Sequence, residues 1–267
     1  MPVNYYNLAH NPFEKSVPSK DAFISADHKE IVSQLHFLKD TRGVGVYTAP
    51  PGSGKTFALR CFQESLNPNL YECRYICLST VSVMDFYRQF CAELGLIASS
   101  RKTEMFRAIK EHLFYMKKEK GRTVLIFLDE CQYLSHSVLC DLSMLMNFNY
   151  DSFSAFALIL VGLPYFNNCL MKPAYEPLRQ RIIAHHNYSG LSKEETAEYV
   201  LTRIESAGGA RAIIDEAALH SVAGASNGNP RTINAIMTNA LMLGEQLGKT
   251  SIDIDTILAA SNTLALG

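Results

Sequence analysis

A glycine-rich loop between a short apolar run and a helix-like run constrains this chain more than any other feature. The loop reads Ala49-Pro50-Pro51-Gly52-Ser53-Gly54-Lys55-Thr56, after the apolar run 44–47 and before the helix-like run 57–66. In a strand–loop–helix of this kind, backbone N–H groups and the helix N-terminus hold phosphate oxygens. Ala49 replaces the glycine of the strict pattern, and alanine is small enough to fit there. The sequence therefore predicts binding of ATP or GTP.

The loop also assigns roles to its last two side chains. The Lys55 ammonium is expected to reach the β- and γ-phosphates, and the Thr56 hydroxyl is expected to hold Mg²⁺. The predicted nucleotide contacts are Pro51, Gly52, Ser53, Gly54, Lys55 and Thr56.

Composition limits the class of protein. The 267 residues suffice for one large domain or for a core with a smaller domain, and 48% apolar and 19% charged residues are typical of a soluble globular chain. The net charge of −1 does not indicate a strongly basic surface for nucleic acid. The seven cysteines lack zinc-site spacing, which favours reduced thiols. With neither a signal-peptide pattern nor a long apolar run, we expect a cytoplasmic protein that does not enter a membrane.

Strand-like and helix-like runs alternate along the first two thirds of the chain. Strands are predicted at 44–48, 73–78, 123–128, 156–161 and 182–188, and helices at 26–39, 57–66, 83–94 and 103–118. Ser25 or Asp27 is the expected N-cap of the first helix. The uninterrupted apolar run 123–128 is typical of a strand buried on both faces of a parallel sheet. The pattern predicts right-handed βαβ units and a three-layer α/β/α domain.

The pattern changes near residue 190. Ser192 and Glu195 form a predicted capping box, and further helices are expected at 215–223, 230–247 and 254–264. We therefore predict a lead-in segment at 1–25, a nucleotide-binding core at 26–190 and a small all-helical lid at 191–267.

Asp129 and Glu130 follow directly after the apolar strand 123–128. Because parallel strands bind ligands at their carboxyl edge, both side chains are expected near the phosphate loop. Asp129 would share the Mg²⁺ with Thr56, and Glu130 would orient or deprotonate the attacking water. The alternative is a pair of surface carboxylates at the end of a strand.

Three arginines are further candidates. Arg179 and Arg181 precede the fifth predicted strand, where either one could enter the γ-phosphate site of a neighbouring subunit. Arg231 follows Pro230 in the first turn of a predicted helix and could face the nucleotide. The alternative for all three is a structural or solvated side chain.

Several motifs together resemble AAA+ ATPases of the ExeA/TniB/TnsC type, a group encoded by bacterial transposons and insertion elements. The lead-in Tyr5-Tyr6-Asn7-Leu8 with Asn11-Pro12-Phe13 is similar to the opening of that group, and Asp129-Glu130-Cys131-Gln132 to its D-E-A-Q box. Further similarities are Val161-Gly162-Leu163-Pro164, Leu178-Arg179-Gln180-Arg181 and Gly228-Asn229-Pro230-Arg231. The resemblance implies an AAA+ fold, an arginine finger at Arg181 or Arg179, and a sensor-2 arginine at Arg231. The polar sensor-1 residue of the group has no counterpart after Val161.

The resemblance further implies a regulator of DNA transposition. Such a protein is a slow ATPase, stimulated by DNA or a partner, that uses ATP and Mg²⁺. It assembles on double-stranded DNA as a homo-oligomeric ring or filament and recruits a transposase, in some cases together with a target-selection protein. Secretion proteins of the ExeA type also carry a membrane helix and a cell-wall-binding domain, neither of which this sequence shows. The expected DNA contacts are Arg101, Lys102, Lys117, Lys118 and Lys120, although such charge runs are usually solvated.

Two other functions remain open. A nucleotide-switched adaptor or loader would use the same site to act on a protein partner without DNA. A small-molecule or nucleotide kinase would share the phosphate loop, but it would not explain the helical lid or Arg231.

Overall fold

The computed structural model describes residues 2–15, 18–77, 82–148 and 153–264. The chain forms two compact units. The sheet unit comprises Glu30–Pro51 and Lys55–Tyr188. The helical unit comprises Met1–Lys29, Gly52–Gly54 and Ser189–Gly267. Three residues of the phosphate loop thus group with the helical unit rather than with the sheet that precedes them.

Five parallel strands form the sheet. They are β1 (Val44–Thr48), β2 (Tyr71–Cys77), β3 (Thr123–Asp129), β4 (Phe156–Gly162) and β5 (Ile182–Asn187). Their order in space is β2-β3-β4-β1-β5, which places β1 between β4 and β5. Every residue of β1, β3 and β4 is buried, as expected when helices cover both faces. The parallel α/β class predicted from the sequence is confirmed. β2 begins two residues earlier than predicted, and Leu78 lies outside the described residues.

The helices of the described chain are α1 (Pro2–Tyr5), α2 (Ala26–Thr41), α3 (Lys55–Ser65), α4 (Val83–Glu93), α5 (Lys102–Lys118), α6 (His136–Leu145), α7 (Tyr165–Leu170), α8 (Glu176–Arg179), α9 (Lys193–Ser206), α10 (Glu216–Ser226), α11 (Pro230–Gln246) and α12 (Ile254–Leu264). The Ser25 hydroxyl accepts a hydrogen bond from the His28 N–H (3.2 Å), so Ser25 is the residue that caps α2. Helices α6, α7 and α8 were not predicted from the sequence. None of the described helices is long and apolar enough to cross a bilayer.

Alternate residues of β3 enter different cores, which makes the sheet unit a three-layer structure. Val124, Ile126 and Leu128 belong to the cluster that includes the apolar residues of α4, α5 and α6. Leu125 and Phe127 belong to a second cluster, with the buried residues of α2 and α3. Because successive side chains of a strand point to opposite faces, one continuous apolar run serves both cores.

The helical unit contains α9 to α12 and the N-terminal lead-in. Tyr6, Leu8 and Phe13 are buried in the same cluster as the apolar faces of these helices. The lead-in begins with the short helix α1, which was not predicted from the sequence. The predicted capping box at the start of α9 is present, with Ser192 and Glu195 each bonded to the other's backbone.

A buried arginine joins the lead-in to α9. Arg203, only 6% exposed, donates from Nε to the Pro12 carbonyl (2.5 Å) and from Nη2 to the Glu14 carbonyl (3.0 Å). These charge-assisted bonds satisfy the backbone carbonyls of Pro12 and Glu14. The lead-in is therefore part of the folded helical unit.

Candidate nucleotide site

The phosphate loop has the backbone conformation that its glycines permit. Gly52 has φ +85° and Gly54 has φ +91°, a region that disfavours residues with a Cβ atom. Lys55 is the first residue of α3, and its Nζ donates to the carbonyls of Ala49 (2.8 Å) and Pro50 (3.1 Å). Pro51 and Ser53 complete the loop. The ammonium group therefore lies at the start of the loop, and a lysine ammonium has donors that can also bind phosphate oxygens.

Asp129 is the meeting point of three elements of the sheet unit. Its side chain is buried at the end of β3, and its Oδ2 accepts hydrogen bonds from the hydroxyls of Thr56 (3.0 Å) and Tyr75 (2.6 Å). Its Oδ1 accepts from the backbone N–H of Glu130 (2.8 Å). A buried carboxylate needs such donors to offset the loss of hydration. The structure thus brings together Thr56 and Asp129, 73 residues apart in sequence.

Tyr75 is also part of this cluster, although no sequence motif predicts a role for it. Burial, together with the hydrogen bond to Asp129, raises the pKa of Tyr75 well above its ordinary value. The hydroxyl therefore stays protonated at physiological pH and acts as a donor to the carboxylate. Tyr75 lies on β2, and only the pairing of β2 with β3 brings it to Asp129.

Glu130 occupies an uncommon backbone conformation at the end of β3. Its φ is +60° and its ψ is +37°, the left-handed region that non-glycine residues rarely adopt. Its Oε2 accepts a hydrogen bond from Gln132 Nε2 at 2.5 Å. The Gln132 Oε1 in turn accepts from the Leu163 N–H, just after β4, at 3.0 Å. Glu130 is therefore held through Gln132 by the end of the neighbouring strand.

A second polar cluster joins β1, β5 and α7 at the same sheet edge. The buried Thr48 hydroxyl donates to Asn187 Oδ1 (2.5 Å), and Asn167 Nδ2 donates to both Thr48 Oγ1 (2.9 Å) and Asn187 Oδ1 (2.7 Å). His185 Nε2 lies 3.2 Å from Asn167 Oδ1. Burial, with a smaller contribution from His186, lowers the pKa of His185 and favours its neutral form. These bonds fix the residue that precedes the phosphate loop.

The two candidate finger arginines differ in their surroundings. Arg179 Nη1 donates to the carbonyls of Leu170 (2.8 Å) and Lys172 (3.4 Å), at and just beyond the end of α7. A cation at a helix C-terminus satisfies carbonyls that have no helical partner. Arg181 is partly exposed, and its carbonyl accepts from the Val44 N–H (3.1 Å) where β5 begins to pair with β1.

In the helical unit, Arg231 lies beside a residue of the phosphate loop. Asn229 caps α11 by accepting bonds from the N–H groups of Arg231 (3.0 Å) and Thr232 (3.4 Å). The Arg231 N–H also donates to the Gly52 carbonyl (3.3 Å). A Cβ atom on Gly52 would lie 2.6 Å from Arg231 Cβ and 2.8 Å from Asn229 Oδ1. Absence of a side chain at Gly52 therefore permits this close contact with the start of α11.

The expected DNA contacts do not form one cluster. Arg101 and Lys102 are at the start of α5, and Lys117, Lys118 and Lys120 are at its end, about 24 Å away for a 17-residue helix. Lys102 pairs with Asp141 (2.6 Å), and Arg101 pairs with Glu104 (3.3 Å).

The cations at the end of α5 also have partners within the chain. Lys117 donates to the Thr123 hydroxyl (3.0 Å), and burial lowers its pKa. Lys118 lies over the Phe153 ring and Lys120 over the Tyr115 ring, at 4.6 and 5.7 Å from the ring centroids. The geometry leaves the assignment of DNA contacts as a prediction.

Comparison with known proteins agrees with this architecture. Residues 38–170 match the family model described as AAA domain. General secretion pathway protein A of Aeromonas hydrophila is 29% identical over 255 residues, which cover 94% of this chain and 46% of that protein. This chain thus spans about half the length of that relative.

Solved structures of similar fold are known from archaea and bacteria. Cdc6p of Pyrobaculum aerophilum has a TM-score of 0.69 at 18% identity, covering 90% of this chain and 67% of that one. Aeropyrum pernix ORC1, solved in complex with DNA, has a TM-score of 0.64 at 14% identity, and the match covers 94% of this chain and 67% of that one. The RuvB Holliday junction branch migration motor of Thermotoga maritima has a TM-score of 0.56 at 17% identity, and the match covers 96% of this chain and 74% of that one. The chain therefore has the P-loop AAA+ fold, followed by C-terminal helices.

Proposed function

We propose that this chain, as a P-loop AAA+ protein, binds ATP with Mg²⁺ and hydrolyses it. The observation that carries the proposal is the convergence of Thr56 and Asp129 beside Glu130. A hydroxyl and a carboxylate are hard oxygen ligands of the kind that Mg²⁺ prefers, so these residues fit the ion. Bound Mg²⁺ would neutralise charge on the β- and γ-phosphates. Lys55 would add a positive charge at the same phosphates.

Glu130 is the proposed general base. Its carboxylate would accept a proton from the attacking water, which requires it to be held in one orientation near the γ-phosphate. Glu130→Gln keeps the shape of the side chain but removes the base. We expect hydrolysis to fall by about 10²- to 10⁴-fold, with ATP binding retained. Hydrolysis at the wild-type rate would show that Glu130 is not the base.

We propose Arg181 as the residue that completes the site of a neighbouring subunit. Arg179 is already bonded to carbonyls of its own subunit at the end of α7, which favours a structural role for it. Lys55→Ala and Arg181→Ala should each abolish hydrolysis when the variant is assayed alone. Their mixture should recover activity, because one subunit supplies the intact loop and the other the intact arginine. A mixture that stays inactive would contradict a shared site.

The proposed role of hydrolysis is the control of DNA transposition. In this proposal, ATP-bound subunits assemble on double-stranded DNA in the cytoplasm as a ring or filament and recruit a transposase. The resemblance of the motif series to that of transposon-encoded ATPases supports this proposal, and so does the fold shared with proteins whose structures contain DNA. A few contacts from each subunit to DNA phosphates suffice for binding, because the contacts of many assembled subunits add together.

A second candidate is an adaptor that switches a protein partner without DNA. It is favoured by the similarity to general secretion pathway protein A and by the intramolecular pairing of Lys102 with Asp141. Negative-stain imaging with ATP, with and without duplex DNA, separates the two. DNA-dependent rings or filaments support the transposition regulator. Identical particles in both samples support the adaptor.

A further inference from the structure

We propose that Gln132 is the positioning residue of the hydrolytic site and replaces the polar side chain that β4 lacks. This inference rests on the proposed role of Glu130 as the base. Gln132 Nε2 donates to Glu130 Oε2 (2.5 Å), while its Oε1 accepts from the Leu163 N–H (3.0 Å). Its carboxamide therefore connects the proposed base to the end of the neighbouring strand.

The surroundings of Gln132 allow only one orientation of its carboxamide. A backbone N–H can only donate, so the group facing Leu163 must be the oxygen. A carboxylate can only accept when ionised, so the group facing Glu130 must be the NH₂. The reversed amide would lose both bonds. The bond from the Leu163 N–H to Oε1 thus orients the Gln132 carboxamide, so that its NH₂ group points to the Glu130 carboxylate.

The glycine at the end of β4 makes room for this arrangement. A Cβ atom on Gly162 would lie 2.9 Å from Gln132 Oε1, closer than such contacts normally occur. Any side chain at position 162 would therefore displace the Gln132 carboxamide. β4 carries no polar residue directly after Val161. We infer that Gln132, which follows β3, supplies the missing polar group at the end of β4.

Positioning through Gln132 also offsets an entropic cost. A glutamate loses side-chain freedom when it must hold one orientation, and small misplacements of a reacting group lower rates strongly. Because Gln132 binds Oε2, the carboxylate is held in one orientation, and the other oxygen, Oε1, is the one proposed to accept the proton of the attacking water. Loss of Gln132 should therefore lower the rate of the chemical step and leave nucleotide binding unchanged.

The test compares Gln132→Leu with Gln34→Leu in the full chain. Gln34 makes the same kind of bond, from its Nε2 to Glu30 Oε1 at 2.6 Å on α2, and serves as the matched control. We measure kcat, KM and the Kd of ATP. Gln132→Leu should lower kcat about 10- to 100-fold with the Kd within about twofold of wild type, while Gln34→Leu changes neither. If Gln132→Leu does not fold, Gln132→Asn, too short to bridge both partners, should show the same loss of kcat.

A residue swap distinguishes positioning from support of the fold. Gly162→Ala alone should lower kcat because its Cβ displaces the Gln132 carboxamide and supplies no amide in its place. In Gln132→Ala combined with Gly162→Asn, the amide is supplied from β4, and kcat should exceed that of Gln132→Ala.

Three results would overturn the inference: wild-type kcat in Gln132→Leu, a parallel loss of ATP binding, or no recovery in the swap. If these occur while Glu130→Gln is inactive, the role of Gln132 fails and the proposed function stands. Wild-type hydrolysis by Glu130→Gln would instead refute the base assignment itself.

Discussion

The contact between the phosphate loop and α11 can be tested with two glycines of the same loop. Gly52 and Gly54 both have positive φ, of +85° and +91°. Alanine at either position bears a conformational penalty of about 1–2 kcal/mol. They differ in their neighbours: a Cβ on Gly54 meets nothing within 4 Å, whereas one on Gly52 lies 2.6 Å from Arg231 Cβ. Gly54→Ala is therefore the matched control for Gly52→Ala.

The additional cost at Gly52 follows from the rigidity of what it touches. The Asn229 oxygen, 2.8 Å from the added Cβ, is fixed by its bonds to two N–H groups at the start of α11. Displacement of that cap and the forced overpacking should cost about 1–3 kcal/mol more than the backbone penalty alone. We expect Gly54→Ala to lose about 1–2 kcal/mol and Gly52→Ala about 2–5 kcal/mol.

Calorimetry without nucleotide is the suitable assay, because the chain has no tryptophan to report unfolding. In a chain of this size each kcal/mol shifts Tm by about 2–4 °C. Gly52→Ala should therefore melt several degrees below Gly54→Ala. Equal melting temperatures would refute the packing of Gly52 against Arg231 and Asn229, and with it the structural support for a role of Arg231 at the loop.

Two further substitutions probe the two units separately. Tyr75→Phe removes one of the donors to the buried Asp129, so urea unfolding should show a loss of about 1.5–3 kcal/mol; unchanged stability would mean that this hydrogen bond does not support the carboxylate. Arg203→Met removes both bonds to the Pro12 and Glu14 carbonyls, so limited proteolysis should cleave the lead-in faster than in the wild type, and a lead-in that stays protected would contradict its attachment through Arg203.

The parts of the fold that were predictable have strong local signals. The apolar run of β3, the capping box at Ser192 and the helix α5 follow from periodicity and composition alone. Helix α6 was missed because its first half, His136 to Cys140, mixes polar and apolar residues without a clear helical face. Helices α7 and α8 are too short for periodicity to identify them.

The residues of the candidate site that the sequence predicts are those that belong to a motif, namely the phosphate loop and the Asp129-Glu130 pair. Of these, the structure brings Thr56 to Asp129. Tyr75 and Gln132 could not be assigned, because their contacts depend on strand order and on the space left by Gly162. The position of Gln132, two residues after Glu130, was the available signal for it.

Glu130→Gln, which should hold ATP without hydrolysing it, is the variant best suited to show whether ATP switches this chain onto duplex DNA. Fluorescence anisotropy of a labelled duplex at low salt is measured with ATP, with ADP and without nucleotide. We expect a large rise in anisotropy with ATP and little change in the other two samples, and Lys55→Ala should show none of this rise. Equal anisotropy in all three samples of Glu130→Gln would show that ATP does not control binding of this chain to DNA.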